Sequence, residues 1–236
     1  DNVAGIEVEN SRHVLVEGNV ARNNTGGILV FITPGLPIKS SYDAIVRRNF
    51  ITNNNTPNFA IPGSLVAGIP SGTGILVMSG DKVVIEDNII TGNNTGGIIV
   101  TSGDFVTEVA SDKDSDPHSD EVMIRNNVMF DNGNDPDGEM KLLMLSKFST
   151  KGPDILAYQS ATAKERGSCI SRREAYRSYG LDDWADCDAP TVRAADAVTS
   201  NPFGLPNQTT PAGAAPVPQA AEAPPLQRDL EDEIPF

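Results

Sequence analysis

The chain has 236 residues, 39% of them hydrophobic, with 18 basic against 32 acidic side chains and a formal charge of −14. That balance disfavours nucleic acid and polyanionic surfaces, which require a cationic groove. No apolar run is long enough to span a bilayer as a helix, and with Trp184 as the single Trp no stacked-aromatic platform for sugars is visible.

From its first residues the chain repeats a phrase. Gly5-Ile6-Glu7-Val8 leads through Val14, Val16, Asn19 and Val20 to Asn23-Asn24-Thr25-Gly26, and Gly27-Ile28-Leu29-Val30 starts again. A unit this short cannot close a core alone and must stack on copies of itself. The pattern therefore predicts an all-β chain, a right-handed parallel β-helix. Taking Asn19, Asn49, Asn88 and Asn127 as origin, Val16, Val46, Ile85 and Ile124 align before it, and Val20, Phe50, Ile89 and Val128 after it. Period-two alternation puts the apolar members on one face and Glu17, Arg47 or Glu86 on the other. Asn24, Asn54, Asn93 and Asn132 form a further column, expected as an internal ladder in which each amide donates to the next. Ordinary surface turns that use Asn are the competing reading.

Two coils are uninterrupted, Ile6 to Ile28 and Ile75 to Ile98. Insertions occupy Phe31 to Asp43, Thr56 to Thr73 and Thr101 to Asp120. The first two are rich in Pro and Gly and cannot continue a central strand. The first and third leave their rungs at the same point and should project from one side. Insertions gathered on one face of a repeat fold build a binding face, or they cover an exposed apolar surface. A solenoid needs its open end covered, so further coils or a partner are expected before Asp1.

The β-helix is expected over 1–146, with Lys141-Leu142-Leu143-Met144-Leu145 as a last strand. Residues 147–188 read as a small helical cap. One helix is predicted from Asp154 to Arg166 between Pro153 and Gly167, and a second from Arg172 to Tyr179, with Ser171 as N-cap and Gly180 as stop. Cys169 and Cys187 bracket the second helix, and an even pair suggests a disulfide, with two separate buried thiols as the alternative. No Cys-x-x-Cys-His occurs, so the chain attaches no c-type haem itself. Residues 189–236 are Ala, Pro and acidic residues, too poor in apolar surface to fold alone. Phe203, Leu205, Leu226, Leu230, Ile234 and Phe236 are their candidate anchors for another protein subunit.

Three constellations could carry chemistry. Asp112, Asp114 and Asp116 alternate as in a calcium loop, but Pro117 stands where an EF-hand has Gly and Met123 where it has Glu. Ca2+ is the cation such a cluster would take, and a solvated acidic loop is the plain alternative. Asp116-Pro117-His118 resembles the triplet of mannuronan C5-epimerases. There His118 would accept the sugar C5 proton while Asp116 orients it. Arg47, Arg48 and Arg125 flank the origin asparagines, and a pectate-lyase-like site would want Arg47 or Arg125 as its base. Carboxylates do not cluster at those rungs, so surface ion pairs are the simpler expectation.

The stretch from Val16 to Val30, and Gly74-Ile75-Leu76-Val77-Met78 followed by Val84 to Asn88, resembles the NosD-like parallel β-helix repeat. Extended through Asn54 to Ala60, the likeness is to exported bacterial parallel β-helix repeat proteins of unassigned function, and it covers about residues 1–145. The resemblance implies a periplasmic or extracellular setting and a neighbouring c-type cytochrome-like partner. The expected function is a structural or interaction subunit that presents β-helix loops and its C-terminal segment to other proteins. A polysaccharide lyase or C5-epimerase is the alternative.

Overall fold

The computed structural model describes residues 1–159 and 167–188. They form a right-handed parallel β-helix with three parallel sheets. The first rung comprises β1 (Ala4–Glu9), β2 (Arg12–Glu17) and β3 (Val20–Arg22). The second comprises β4 (Gly26–Phe31), β5 (Ser41–Arg47) and β6 (Phe50–Thr52). The third is β7 (Thr73–Met78), β8 (Gly80–Glu86) and β9 (Ile89–Thr91), and the fourth β10 (Gly96–Thr101), β11 (Met123–Arg125) and β12 (Val128–Phe130). Beyond them β13 (Ile155–Tyr158) and β15 (Ser178–Tyr179) extend the first sheet, and β14 (Cys169–Ile170) and β16 (Ala185–Asp186) the second.

The register is the one the repeat predicts. Val16 pairs with Val46, Val46 with Ile85 and Ile85 with Ile124, one internal column that continues to Ile170. Ile6, Ile28, Ile75, Ile98 and Ile155 make the matching column in the first sheet. Together they fill the solenoid interior.

Two tight corners explain the asparagines. Between the second and third sheets the chain turns through Gly18-Asn19, Arg48-Asn49, Asp87-Asn88 and Asn126-Asn127, the first residue of each pair at φ between 54° and 71°. Between the third and first sheets Asn23, Asn53, Gly92 and Asp131 take the same left-handed conformation before Asn24, Asn54, Asn93 and Asn132. Each corner carries its own ladder. Asn24 Nδ2 donates to Asn54 Oδ1, Asn54 to Asn93 and Asn93 to Asn132, each at 3.1 Å. Asn19, Asn49, Asn88 and Asn127 are linked likewise at 3.0–3.1 Å. The same Oδ1 atoms accept backbone N–H groups, as in Asn49 N to Asn88 Oδ1 at 3.0 Å. The ladders thus satisfy backbone donors that a sharp buried turn leaves without partners.

Every residue of Gly26–Phe31 and Thr73–Met78 is buried. Unlike β1 and the second sheet, which alternate, these strands of the first sheet therefore read as unbroken apolar runs. Its outer side chains, among them Leu29, Phe31, Leu76, Met78 and Ile99, form a second apolar cluster with Ile69, Met140 and Met144.

Three segments depart from the sequence reading. Residues 141–145 are not a strand but lie in a helix, α2 (Gly138–Ser146), because a helix capped by Asp137 lays Met140 and Met144 on the first sheet. It follows α1 (Thr107–Ser111) of the third insertion. Ile155–Tyr158, expected at the start of a helix, is a strand because the open edge of β10 offers it a full ladder and burial on both faces. The remainder of that expected helix, 160–166, lies outside the described residues. Arg172–Tyr179 is a 3-10 turn at Arg173–Ala175 followed by β15, which pairs with β13. The rungs consequently run past 146.

The end of the interior is nevertheless plugged. Leu181, Trp184 and Tyr176 pack on the core. Tyr176 Oη donates to Asn127 O at 2.8 Å and Arg177 donates to Asn132 O, closing both ladders. Cys169 and Cys187 are disulfide-bonded, with Cα atoms 5.0 Å apart, and tie β14 to the segment after β16.

Candidate functional site

The two corners that flank the first sheet carry the insertions. Between the first and second sheets, the tight turns at Asn10 and Ser79 anchor the long loops of the next rungs. Asn10 Nδ2 donates to Thr33 O and Ile38 O, and Ser79 Oγ donates to Pro117 O. The loops 32–40 and 102–122 project from one side, as expected, and touch across two rungs. Lys39 Nζ lies 2.8 Å from Asp112 Oδ2, which also accepts the Gly35 N–H at 3.2 Å. The Lys39 ammonium first, and the Gly35 amide second, hold the Asp112 carboxyl down to about 2.

These contacts employ the acidic loop in binding loop to loop. Asp112 faces Lys39, and its Oδ1 accepts the Asp114 N–H. Asp116 Oδ1 accepts the His118 N–H at 3.0 Å. The three carboxylates do not converge, and among the described residues no group of three His, Cys, Asp or Glu gathers as a metal site.

The imidazole of His118 has other neighbours than those the sequence suggested. Its Nδ1 lies 3.3 Å from Ser102 Oγ and 3.7 Å from Asp104 Oδ2. Asp116 fixes the backbone, so the carboxylate that could orient the ring is Asp104. Ser102 and Asp104 were not legible as partners, because the loop folds back over fourteen or more positions to bring them there.

The arginines lie elsewhere, on the outer face of the second sheet. Arg47 Nε is 3.1 Å from Glu17, Arg125 Nε is 2.7 Å from Glu86, and Arg48 Nη1 is 3.0 Å from Glu17. The hydrogen bond from Arg47 is the main reason the Glu17 carboxyl is lowered. These are surface ion pairs, as the simpler reading expected.

One carboxylate is perturbed in the opposite sense. Burial, and then the nearby charges of Asp116, Asp120 and Glu121, outweigh the hydrogen bond from Asp120 N and raise Asp81 to about 6. Its folded-state value exceeds the ordinary 3.8, so protonation stabilises the fold. This contribution is present below about pH 4 and is lost as pH rises through 6. Asp81→Asn keeps the Oδ1 acceptor and removes the charge. It should raise stability at pH 7.5 by about 1 kcal/mol, the full shift being discounted for partial solvation, and leave it unchanged at pH 4. Thermal unfolding of both proteins at the two pH values checks this; an equal effect at both would contradict it.

A concave feature lies over the first sheet. Loop 53–72 folds in from one edge, loop 102–122 and α2 add further walls, and together they leave a cleft of about 370 Å³. Its floor is Phe31, Leu76, Met78, Ile99 and Leu156, from four adjacent strands. Such a row spans roughly 15 Å. Leu65, Val66 and Ile69 wall one side, and Val106, Met140 and Leu143 contribute from the other elements. At its mouth the rings of Phe105 and Tyr158 stack 4.9 Å apart, each about half exposed (49% and 48%). The cleft lining is predominantly apolar, with Glu139, Thr101 and Ser102 as its polar members. The expected anchors Phe203, Leu205, Leu226, Leu230, Ile234 and Phe236 lie outside the described residues.

Residues 1–114 match the family model described as the right handed beta helix region. No curated protein and no solved structure matches the chain. No helix among the described residues is long and apolar enough to cross a membrane. Stacked parallel rungs, paired asparagine ladders and the family match together make this chain a right-handed parallel β-helix repeat protein.

Proposed function

We propose that the chain is an interaction subunit, working in an oxidising extracytoplasmic compartment, whose insertion-covered first sheet docks another protein. The observation that carries this reading is the apolar cleft with its half-exposed Phe105–Tyr158 pair, built by loops arriving at both edges of one sheet. Two large aromatic rings left half exposed at the mouth of an apolar cleft mark a docking surface rather than ordinary packing. The Cys169–Cys187 disulfide supports the compartment. Residues 189–236 and a c-type cytochrome-like partner belong to the same proposal.

The polysaccharide alternative needs an acid–base pair on one groove. Arg47 and Arg125 are engaged with Glu17 and Glu86 on the outer face of the second sheet, which argues against a lyase base there, and His118 with Asp104 is the pair left to an epimerase.

Photo-crosslinking tests the proposal. Benzoylphenylalanine at Phe105 and at Leu65, on two different walls of the cleft, should give an adduct with the same protein in the producing cells. Val128, exposed on the third sheet, should not. Adducts at all three sites, or at neither wall, would reject the docking face. Appearance of an unsaturated, ultraviolet-absorbing product from alginate or pectate would favour the enzymatic alternative.

A further inference from the structure

The outer face of the second sheet carries a pattern that the docking cleft does not use. Along one column, Glu17, Arg47, Glu86 and Arg125 stack in register, alternating in sign from rung to rung. At the other end of the same strands stand His13, Asp43, Lys82 and Glu121, an alternation of base and acid in the reverse order. All of these last four take a left-handed backbone, φ 51–58°, a kink repeated in every rung. His13 Nδ1 is 2.7 Å from Asp43 and Lys82 Nζ 4.0 Å from Glu121. Between the two columns runs a third, Leu15, Ile45, Val84 and Met123, apolar and only partly covered. An apolar stripe between two charged edges is the arrangement of a protein interface, with a dry centre and a polar rim.

We propose that this face binds a second copy of the chain, face to face about a two-fold axis. The argument is charge complementarity. With the axis along the solenoid, each rung meets the same rung of the copy with strands antiparallel, and one column faces the other. His13 then lies opposite Glu17, Asp43 opposite Arg47, Lys82 opposite Glu86 and Glu121 opposite Arg125. Every pair is base against acid. Turning the axis along the strands sets the first rung against the fourth and again pairs base with acid throughout, so the surface is self-complementary either way. A partner of uniform charge would meet a like charge at every second rung. The apolar stripe supplies the attraction, since the ion pairs already made within one copy leave the charges to set register. Packed sheets cross at about 30°, so the central rungs, with Ile45 and Val84, match best. The face measures roughly 15 by 20 Å. At about 300 Å² per copy that is below a standard interface, so a weak, transient dimer is expected, with dissociation at the upper end of the micromolar range.

Sedimentation of the 236-residue chain from 1 to 200 µM (about the range that brackets such a constant) should show a monomer–dimer equilibrium. Ile45→Lys places a charge in the centre of the stripe and should weaken the dimer at least tenfold, while far-ultraviolet circular dichroism and the unfolding midpoint stay near those of the parent. Cysteine pairing then reads the geometry independently of that variant's fold. With the axis along the solenoid, Ile45→Cys crosslinks to itself under mild oxidation. With the axis along the strands, it crosslinks only when mixed with Val84→Cys. Either pattern supports the face-to-face dimer. A chain that remains monomeric across the range overturns the proposal, as does a dimer that Ile45→Lys leaves intact or one in which neither cysteine pairing forms.

Discussion

Asn93→Ala should lower the stability of the chain by about 4 kcal/mol, far more than replacement of an exposed turn asparagine. Asn93 is fully buried, and its side chain works in both directions along the ladder. Oδ1 accepts from Asn54 N at 3.2 Å and Asn54 Nδ2 at 3.1 Å. Nδ2 donates to Asn132 Oδ1 at 3.1 Å and lies within 3.3 Å of Ile51 O and Thr91 O. Alanine removes all of these: Asn54 N and one N–H of the Asn54 amide lose their buried acceptor, while Asn54 Nδ2 keeps Ala21 O and Asn132 Oδ1 keeps the Asn93 backbone N–H. Each such group costs roughly 1–3 kcal/mol, reduced in sum because neighbours relax. Asn134 provides the comparison. It is exposed, its one side-chain bond goes to Asp131 O, and Asn134→Ala should change stability by less than about 0.5 kcal/mol. Urea unfolding of both variants decides the matter, and equal midpoints would remove the ladder as a source of stability.

Gly74→Ala is expected to cost about 3 kcal/mol, for a reason of space. A Cβ at Gly74 would stand 2.3 Å from the carbonyl oxygen of Gly97 in the next rung, 3.1 Å from Ile90 Cγ2 and 3.2 Å from Asn93 Nδ2. Gly27 meets Gly74 O and the Asn54 amide in the same way. The glycine directly before the inward Ile of each rung (Gly5, Gly27, Gly74 and Gly97) is therefore the site where the ladder amide presses against the backbone, and a methyl group there forces two rungs apart. Gly18 separates this effect from backbone strain. Its φ is +71°, but a Cβ would meet nothing within 4 Å, so Gly18→Ala should cost only about 1 kcal/mol. Should calorimetry show the two variants unfolding together, the close-packing account of the repeated glycine fails.

Legibility in the sequence followed from repetition. Columns such as Val16, Val46, Ile85 and Ile124, and Asn24, Asn54, Asn93 and Asn132, appear in both the spacing and the fold, because a stacked rung must offer the same residue type at the same place to continue its neighbour. The pairing of Cys169 with Cys187 was open to an alternative and is settled by geometry. The site was less legible because its parts do not repeat. His118 finds Ser102 and Asp104 through a loop that occurs once, and Asp112 finds Lys39 from another rung.

The amino-acid sequence by itself determined the solenoid, its register and its internal polar ladders, since each of these is a local rule applied rung after rung. Only the tertiary structure decided what becomes of the chain outside the rungs. Lys141–Leu145 follows the repeat as one more apolar run, yet its Leu, Met and Lys favour a helix, and that helix lays Met140 and Met144 on the outer face of the first sheet. Ile155–Tyr158 has the neighbours of a helix, yet it is a strand because β10 presented an unpaired edge. Intrinsic preferences at these positions differ by about 1 kcal/mol or less per residue, while pairing an open edge and covering an apolar face contribute several. Strand edges and apolar faces supplied by distant rungs leave no mark on the local sequence, so only the folded chain reveals which preference they override.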